Sequence, residues 1–402
     1  MNSIHSKKWV GHFARGAHDV RIYSTTPFTG EFEGRIVKSA PARAQLPHPA
    51  HSNYIPKLLK SRVAWPAVVL AEKAFLLKKF LTIRRDAFHQ VKYASKCARE
   101  FKPDLVHCLR IPNEGFIGML LGNESPLVIS TWGNDLMYWA RKILFTELTR
   151  QTLMRADLLF VDCKRDGELA RRYGYGKEKR YMVMPGAGGL SEKEIEIGRS
   201  ALGSRSDALK DEYSIKQRPI FLSLRGFGSQ DIDNVPLIMA CRRLVERNVS
   251  FSLVIAGKRN GFRYFKLARL VERLHLGDIV SLIDEMPHDS ALAALRSADF
   301  SISISRNDGT PNSMLEAMTF GSIPLMSNIE SIREWITDGV NGYLFDPGSP
   351  ESVAGAMQRA IASAHDHNRM REFNLRQIAE RGNYPKNMSE AESELISLVG
   401  NR

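Results

Sequence analysis

The sequence predicts an α/β protein of two doubly wound, Rossmann-like parallel-sheet domains. Short apolar runs alternate with helical patterns from Leu105 to Pro185, and the same alternation begins again at Ile220 and continues to Phe345. Strand–helix alternation is the pattern of a parallel sheet with crossover helices. The chain has 402 residues, more than one ordinary domain needs, and a break at 186–216, glycine-rich and then charged, separates the two series.

Taken in order, Ser3–Ala14 brings Ile4, Trp9, Val10 and Phe13 to one helical face, Gly16 ends that helix, and Val20–Thr25 reads as a strand. Lys57–Lys102 carries twelve Lys/Arg against three acids, interleaved with Val68, Leu70, Phe75, Leu76, Phe80, Leu81 and Ile83. It is read as one or two basic amphipathic helices. Contact with an anionic membrane surface and an ordinary solvated face are both open readings. Strands are predicted at Leu105–Leu109, Leu127–Thr131, Leu158–Cys163 and Arg180–Pro185, separated by helices at Glu114–Gly122, Asp135–Arg155 and Arg165–Tyr173. The second series places strands at Ile220–Leu224, Phe251–Ala256, Val280–Asp284, Phe300–Ser305, Ile323–Met326 and Tyr343–Phe345. Its helices include Val235–Arg247, Phe262–Leu274, Ser349–Ala364 and Asn387–Val399. The expected boundaries are a first domain at 1–190, a linker at 191–217, a second domain at 218–375 and a C-terminal helical segment at 376–402 that returns to the first domain.

Composition narrows the class. Hydrophobic content of 43% and charged content of 25% are globular values. The four cysteines (Cys97, Cys108, Cys163, Cys241) lie far apart with no C-x-x-C, as expected of reduced thiols. The opening residues are polar and include Lys7 and Lys8, so no signal peptide is expected, and the apolar run Ala64–Leu77 is interrupted and short for a span. A cytoplasmic protein is expected, peripheral at the inner face of the membrane if the basic region binds lipid. The net charge of +13 implies an anionic partner. No zinc-finger, RRM or KH pattern points to nucleic acid.

The most informative stretch is Ser305 to Gly321. A strand of alternating Ile302 and Ile304 runs into Gly309, where a sharp positive-φ turn is expected. Thr310 reads as an N-cap, Pro311 as the first helical residue and Gly321 as the helix end. A helix N-terminus after a short loop suits a phosphate. Asp308 and Glu316 flank it, and such acceptors suit sugar hydroxyls. An ordinary capped βα unit with two solvated acids is the competing reading.

The spacing Asp308-x7-Glu316 resembles the E-x7-E motif of family 4 of the retaining GT-B glycosyltransferases, with Asp for the first Glu. Leu315-Glu-Ala-Met318, Gly321-Ser-Ile-Pro324 and Asp338-Gly-Val-Asn-Gly-Tyr-Leu-Phe345 continue that family's run. The resemblance implies two Rossmann-like domains facing a central cleft. It also implies transfer of a sugar from a nucleotide-diphosphate donor to a hydroxyl acceptor, a glycan or lipid-linked one, in surface polysaccharide or glycolipid synthesis. Glu316 would hold the ribose, and Asp308 with the backbone of Gly309, Thr310, Pro311, Asn312 and Ser313 the donor sugar. Arg225, ending the strand Phe221–Arg225, corresponds to the family's phosphate-binding Arg. The Lys that often follows is Gln230 here, which leaves Lys258 to supply a second cation or to be a plain surface lysine. Asp231-x-Asp233 reads as a helix cap, and no metal is expected.

On the acceptor side, Thr131-Trp-Gly-Asn-Asp135 resembles the family's loop beside the cleft. Gly133 and Asp135 are therefore candidates, although capping of the next helix is the simpler reading for Asp135. The resemblance also places His5 at the cleft mouth. Two rivals remain: a GT-B sugar-nucleotide epimerase, and a lapsed enzyme serving as a binding or scaffold protein. Finally, Met1 and Asn2 lead straight into the first helix where the family has a central strand. About ten preceding residues are therefore expected to be lacking, with Val20–Thr25 about two strand spacings, ~9–10 Å, from Leu105–Leu109.

Overall fold

The computed structural model describes residues 4–25, 31–32, 35–39, 89–122, 124–200, 208–213, 215, 217–229, 231–259 and 261–400. The chain forms two compact units, Met1–Ala187 with Glu390–Arg402, and Gly188–Ser389.

The first unit opens with helix α1 (Ile4–Arg15), whose Trp9 is buried, followed by strand β1 (Ile22–Ser24). A hairpin of β2 (Glu31–Phe32) and β3 (Arg35–Ser39) comes next. The strand β1 pairs parallel to β3, which makes a three-stranded sheet that the sequence pattern did not predict. Residues 89–101 are helical (α2). The rest of the basic region, 57–88, lies outside the described residues. Then follow β4 (Val106–Cys108), α3 (Phe116–Leu120), β5 (Leu127–Ser130), α4 (Ile143–Arg155), β6 (Leu158–Val161), α5 (Lys164–Arg172) and β7 (Tyr181–Val183). The strands β4 to β7 form a parallel sheet in sequence order, and β1 and β4 lie in different sheets with no ladder between them.

Burial explains the legibility of these strands. All residues of β5 and β6 are buried, and a parallel strand covered on both faces reads as a continuous apolar run. Leu127, Ile129, Leu159 and Val161 form one core with Phe116, Phe145 and Leu153 from the helices. The expected single helix Asp135–Arg155 is in fact two pieces. A π-type turn at Asp135–Trp139 is separated from α4 by Lys142, whose ψ of 116° is extended.

The second unit begins with α6 (Glu192–Ser200) and α7 (Ala208–Glu212). These fall in the stretch expected to be a bare connection, yet Ile195, Leu209 and Ile215 are buried in the cores of this unit. Glycine and charge content mimicked a linker because α6 buries only a narrow apolar edge. The unit continues with β8 (Ile220–Ser223), α8 (Val235–Glu246), β9 (Ser252–Ala256), α9 (Phe262–Arg273), β10 (Val280–Ile283), α10 (His288–Ser297), β11 (Phe300–Ser303), α11 (Asn312–Phe320), β12 (Ile323–Ser327), α12 (Glu330–Arg333), β13 (Tyr343–Phe345), α13 (Pro350–Ala362) and α14 (His367–Arg381). Its six strands are parallel in the order β10-β9-β8-β11-β12-β13. Helix α15 (Tyr384–Gly400) follows, and its residues from Glu390 belong to the first unit, where Glu392 meets His12 and His18 of the α1 region at 3.0 and 2.6 Å.

That strand order fixes where a ligand would sit. From β8 the chain winds one way through β9 and β10, and from β11 the other way through β12 and β13. The ladder between β8 and β11 pairs Phe300 with Phe221, and their rings stack at 4.7 Å. It is the topological switch point, where loops diverge and leave a crevice beyond the strand ends.

Candidate functional site

Two side chains meet at that switch point. Arg225 follows β8, and Asp308 lies on the loop after β11. The Arg225 Nη2 donates to Asp308 Oδ2 at 2.7 Å, and the two side chains are 26% and 17% exposed. The carboxylate is held from several directions. Ser305 Oγ donates to the same oxygen at 3.2 Å, the Gly309 amide donates to Oδ1 at 3.0 Å, and Ser331 Oγ donates to the Asp308 carbonyl at 2.8 Å. Ser305 itself donates its amide to Ser327 Oγ on β12 at 2.8 Å. The loop is therefore a fixed mount, with a guanidinium fork steered by a carboxylate.

Helix α11 starts beside this pair. Pro311 is its N-cap residue (φ −66°, ψ 127°), with no side-chain capping bond. The expected Thr310 cap and Pro311 first position are thus one residue early, because Pro311 keeps an extended ψ. Gly309 is not among the positive-φ residues. In this region such glycines are Gly226 (φ 72°) and Gly228 (φ 133°), after β8, while Gly321 (φ 86°) ends α11 as expected. The uncapped terminus carries orphan amides and a partial positive charge. Asn312 Oδ1 and Ser313 Oγ are buried there with no hydrogen-bond partner. Glu316, one turn into the helix, is only 8% exposed. The helix is pinned behind them: Met314, Leu315 and Met318 are buried, and Gly198 of α6 sits so close that a Cβ would stand 2.4 Å from the Thr319 carbonyl. This arrangement can take an anion at the helix end and Arg225, and hydroxyls at the carboxylates.

In the first unit, the loop after β4 folds over a second set of charges. Asp135 is fully buried. Its Oδ2 accepts the amides of Ile111 at 3.1 Å and Trp132 at 3.2 Å, and its Oδ1 faces Arg110 at 3.4 Å. Glu114 accepts from Thr25 Oγ1 at 2.7 Å, and Gln90 Nε2 donates to the Thr25 carbonyl at 3.2 Å. Burial pushes both carboxyls up. Arg110 beside Asp135, and Thr25 with Arg110 beside Glu114, pull the other way. Asn113 in the same loop adopts φ 75° and ψ −79°, a conformation that costs on the order of 1–3 kcal/mol. The capping reading of Asp135 is corrected here. Its carboxylate accepts amides from two loops, not from the turn it begins, and ties them together.

The family described as "Glycosyl transferases group 1" matches residues 207–377, and the "Glycosyl transferase 4-like domain" matches residues 5–187. The chain belongs to the glycosyl transferases group 1. Its fold is GT-B. HepE of Anabaena, solved in complex with UDP, superposes with a TM-score of 0.65 at 16% identity, over 77% of this chain and 82% of that one. Sucrose-phosphate synthase from Thermosynechococcus elongatus gives 0.69 at 14%, over 95% and 89%. Among curated proteins, the GDP-mannose:cellobiosyl-diphosphopolyprenol alpha-mannosyltransferase of Xanthomonas campestris is 22% identical over 245 residues, 60% of this chain. The D-inositol 3-phosphate glycosyltransferase of Thermobifida fusca (strain YX) is 24% identical over 210 residues, 50% of this chain. The matched regions span 59% and 46% of these two relatives' own lengths.

Within this group 1 chain the remaining candidates fall as follows. Lys258 pairs with Glu285 at 3.5 Å and is 72% exposed, so it points along the surface. Gln230 lies outside the described residues, as does the side chain of His5, which falls in α1. The Gly133 carbonyl accepts from Arg165, at 3.4 Å. The N-cap of α8 is Asn234, with no side-chain capping bond, so Asp231-x-Asp233 is not the expected cap; Asp233 accepts the Val235 amide at 3.1 Å in a local turn, and also Arg306 at 3.1 Å. Among the described residues no His/Cys/Asp/Glu cluster could hold a metal ion. The sequence reading missed Arg110, Glu114 and the serines around Asp308. Their one signal is position, since each follows the C-terminal end of a parallel strand.

Proposed function

We propose that this group 1 chain is a retaining glycosyltransferase that moves a sugar from a nucleotide-diphosphate donor to a hydroxyl acceptor. The observation that carries the reading is the convergence at the β8/β11 switch point. An Arg–Asp pair, an uncapped helix N-terminus with two unpartnered buried polar atoms, and a buried glutamate meet there. In this reading Arg225 and the α11 amides take the diphosphate, Glu316 the ribose, and Asp308 with Gly309–Ser313 the donor sugar. Cleavage of the sugar–phosphate bond leaves charge on the diphosphate, and a preorganised guanidinium with fixed amide dipoles stabilises it. Asp308 holds the Arg225 fork in place before the donor arrives. The first unit would supply the acceptor side.

The cellobiosyl-diphosphopolyprenol substrate in the Xanthomonas relative's name supports a lipid-linked acceptor as the first class to try. Such an acceptor fits a protein acting peripherally at a membrane. No helix among the described residues is long and apolar enough to cross one.

Calorimetry with UDP-, GDP- and ADP-sugars tests the donor, followed by turnover with and without acceptor. Binding of one donor, with turnover only when a hydroxyl acceptor is added, is the expected result. Epimerised donor without acceptor, or no binding by folded protein, overturns it.

A further inference from the structure

Helix α9 shows two unlike faces. Leu267, Leu270 and Val271 are buried against the sheet. The opposite face exposes Phe262 (62%) and Phe265 (57%), with Arg263, Lys266, Arg269 and Arg273 also exposed around them and Glu272 as the one acid. Both phenyl rings keep more than half of their surface in water, and Phe265 lies edge-on to Tyr264 at 5.3 Å between ring centroids. Tyr264, between them, turns inward and lies against Phe227 at 5.1 Å between ring centroids. Lys266, Arg269 and Arg273 take part in no ion pair among the described residues, whereas Arg259, just before the helix, pairs with Asp284 at 3.6 Å.

We propose that this face of α9 docks on an anionic phospholipid surface. Rings with no polar edge suit the headgroup–acyl boundary, and cations in register beside them suit lipid phosphates. Charge complementarity selects that occupant: the face carries three cations, Lys266, Arg269 and Arg273, to one acid, on a chain of net charge +13. The position has a consequence for the site. The loop after β9 and the start of α9 lie at the same edge of the sheet as Arg225 and Asp308, and Arg263 donates to the Ser229 carbonyl in the loop after β8. Docking through Phe262 would hold the donor loops close to the lipid surface, where a lipid-linked hydroxyl would be met.

Co-sedimentation with vesicles of phosphatidylcholine alone, and of phosphatidylcholine mixed with phosphatidylglycerol, tests this on the full chain. The protein is expected to bind only the mixed vesicles and to be released by salt. Phe262→Ser with Phe265→Ser, and separately Lys266→Glu with Arg269→Glu, should each lower partitioning by about tenfold or more. Unchanged thermal unfolding in these variants shows that the surface, not the fold, was altered. A local probe guards against binding through another surface. With Phe265→Cys carrying an NBD fluorophore in a Cys97→Ser background, emission should shift to the blue on mixed vesicles only. Wild-type sedimentation by both double variants, an NBD signal that does not change, equal binding to neutral vesicles, or capture of RNA in place of vesicles overturns the proposal.

Discussion

The loops at the carboxyl ends of the two sheets use charge in opposite ways. After β4 and β5, the carboxylates turn inward. Asp135 has no exposed surface, burial raises its pKa and that of Glu114, and they engage amides, Thr25 and Arg110 of their own unit, with Glu114 Oε2 buried and left without a hydrogen-bond partner. After β8 and β11, Arg225 and Asp308 keep 26% and 17% of their side-chain surface in solvent, beside an uncapped helix. The first loop is closed by its charges, and the second is held ready by them. A charged cluster at a strand end is therefore not a ligand site merely by its place in the fold. The exposure of its carboxylates decides which it is: Asp135 has none and Asp308 keeps 17%.

The sharpest break of this comparison is Asp135→Ala. Removing one member of a buried charge pair strands Arg110 and two amides, so the first unit should lose about 3–5 kcal/mol of stability, read in urea unfolding. Donor affinity of the folded fraction should stay at the wild-type value. A loss of only ~1 kcal/mol would return Asp135 to the role of a simple cap.

Glu316→Ala should do the reverse, weakening nucleotide binding by about 1.5–3 kcal/mol through loss of a charge-assisted hydrogen bond, with little change in unfolding. Asp308→Asn should lower turnover more than nucleotide affinity. Wild-type kinetics in both variants would remove these residues from the site.

His107, on β4, sharpens the comparison through pH. It lies edge-on to Trp9 at 4.8 Å and shares a hydrogen bond with Ser130 Oγ at 2.8 Å. Burial holds its pKa down to about 3, from 6.5. The folded value is below the unfolded one, so the unfolded chain takes the proton first as pH falls. Stability is full above 6.5 and is lost below it by ~1.4 kcal/mol per pH unit, about 2 kcal/mol by pH 5. The His107→Gln variant should lack that slope on the acid side, and equal slopes in the two proteins would show that His107 titrates normally.

The smallest effect is expected at Lys258. Its exposed pair with Glu285 is worth no more than ~1 kcal/mol to stability. Lys258→Ala should leave both unfolding and donor affinity near wild type, and a tenfold loss of donor affinity would restore it as a phosphate-binding cation.

Much of this was legible in the sequence. The strands β5, β6, β8, β9 and β12 are buried along their whole length, so each appears as a largely apolar run. The strand–loop–helix around Asp308 could be read because a strand of alternating Ile and Ser, a helix face and Gly321 stand within one short stretch. The β2–β3 hairpin was missed, since strands of two and five residues carry too little pattern. The α6 helix was missed because its neighbours look like a linker. Gly309 was expected to turn with positive φ, but Asp308 Oδ1 closes that turn through the Gly309 amide instead.

The sequence by itself determined the two strand–helix series, the switch from one to the other, and the candidate residues on either side of α11. Those features rest on local periodicity and on the conformational limits of glycine and proline, which act within a few residues. Tertiary structure alone decided which side chains meet. Arg225 and Asp308 are 83 positions apart and touch because β8 and β11 are neighbours in the sheet. Arg110 and Asp135 are 25 apart and are joined over the ends of β4 and β5. No propensity in either segment encodes such a pair. It forms because parallel strands require crossovers, and crossovers bring distant loops to the same edge of a sheet.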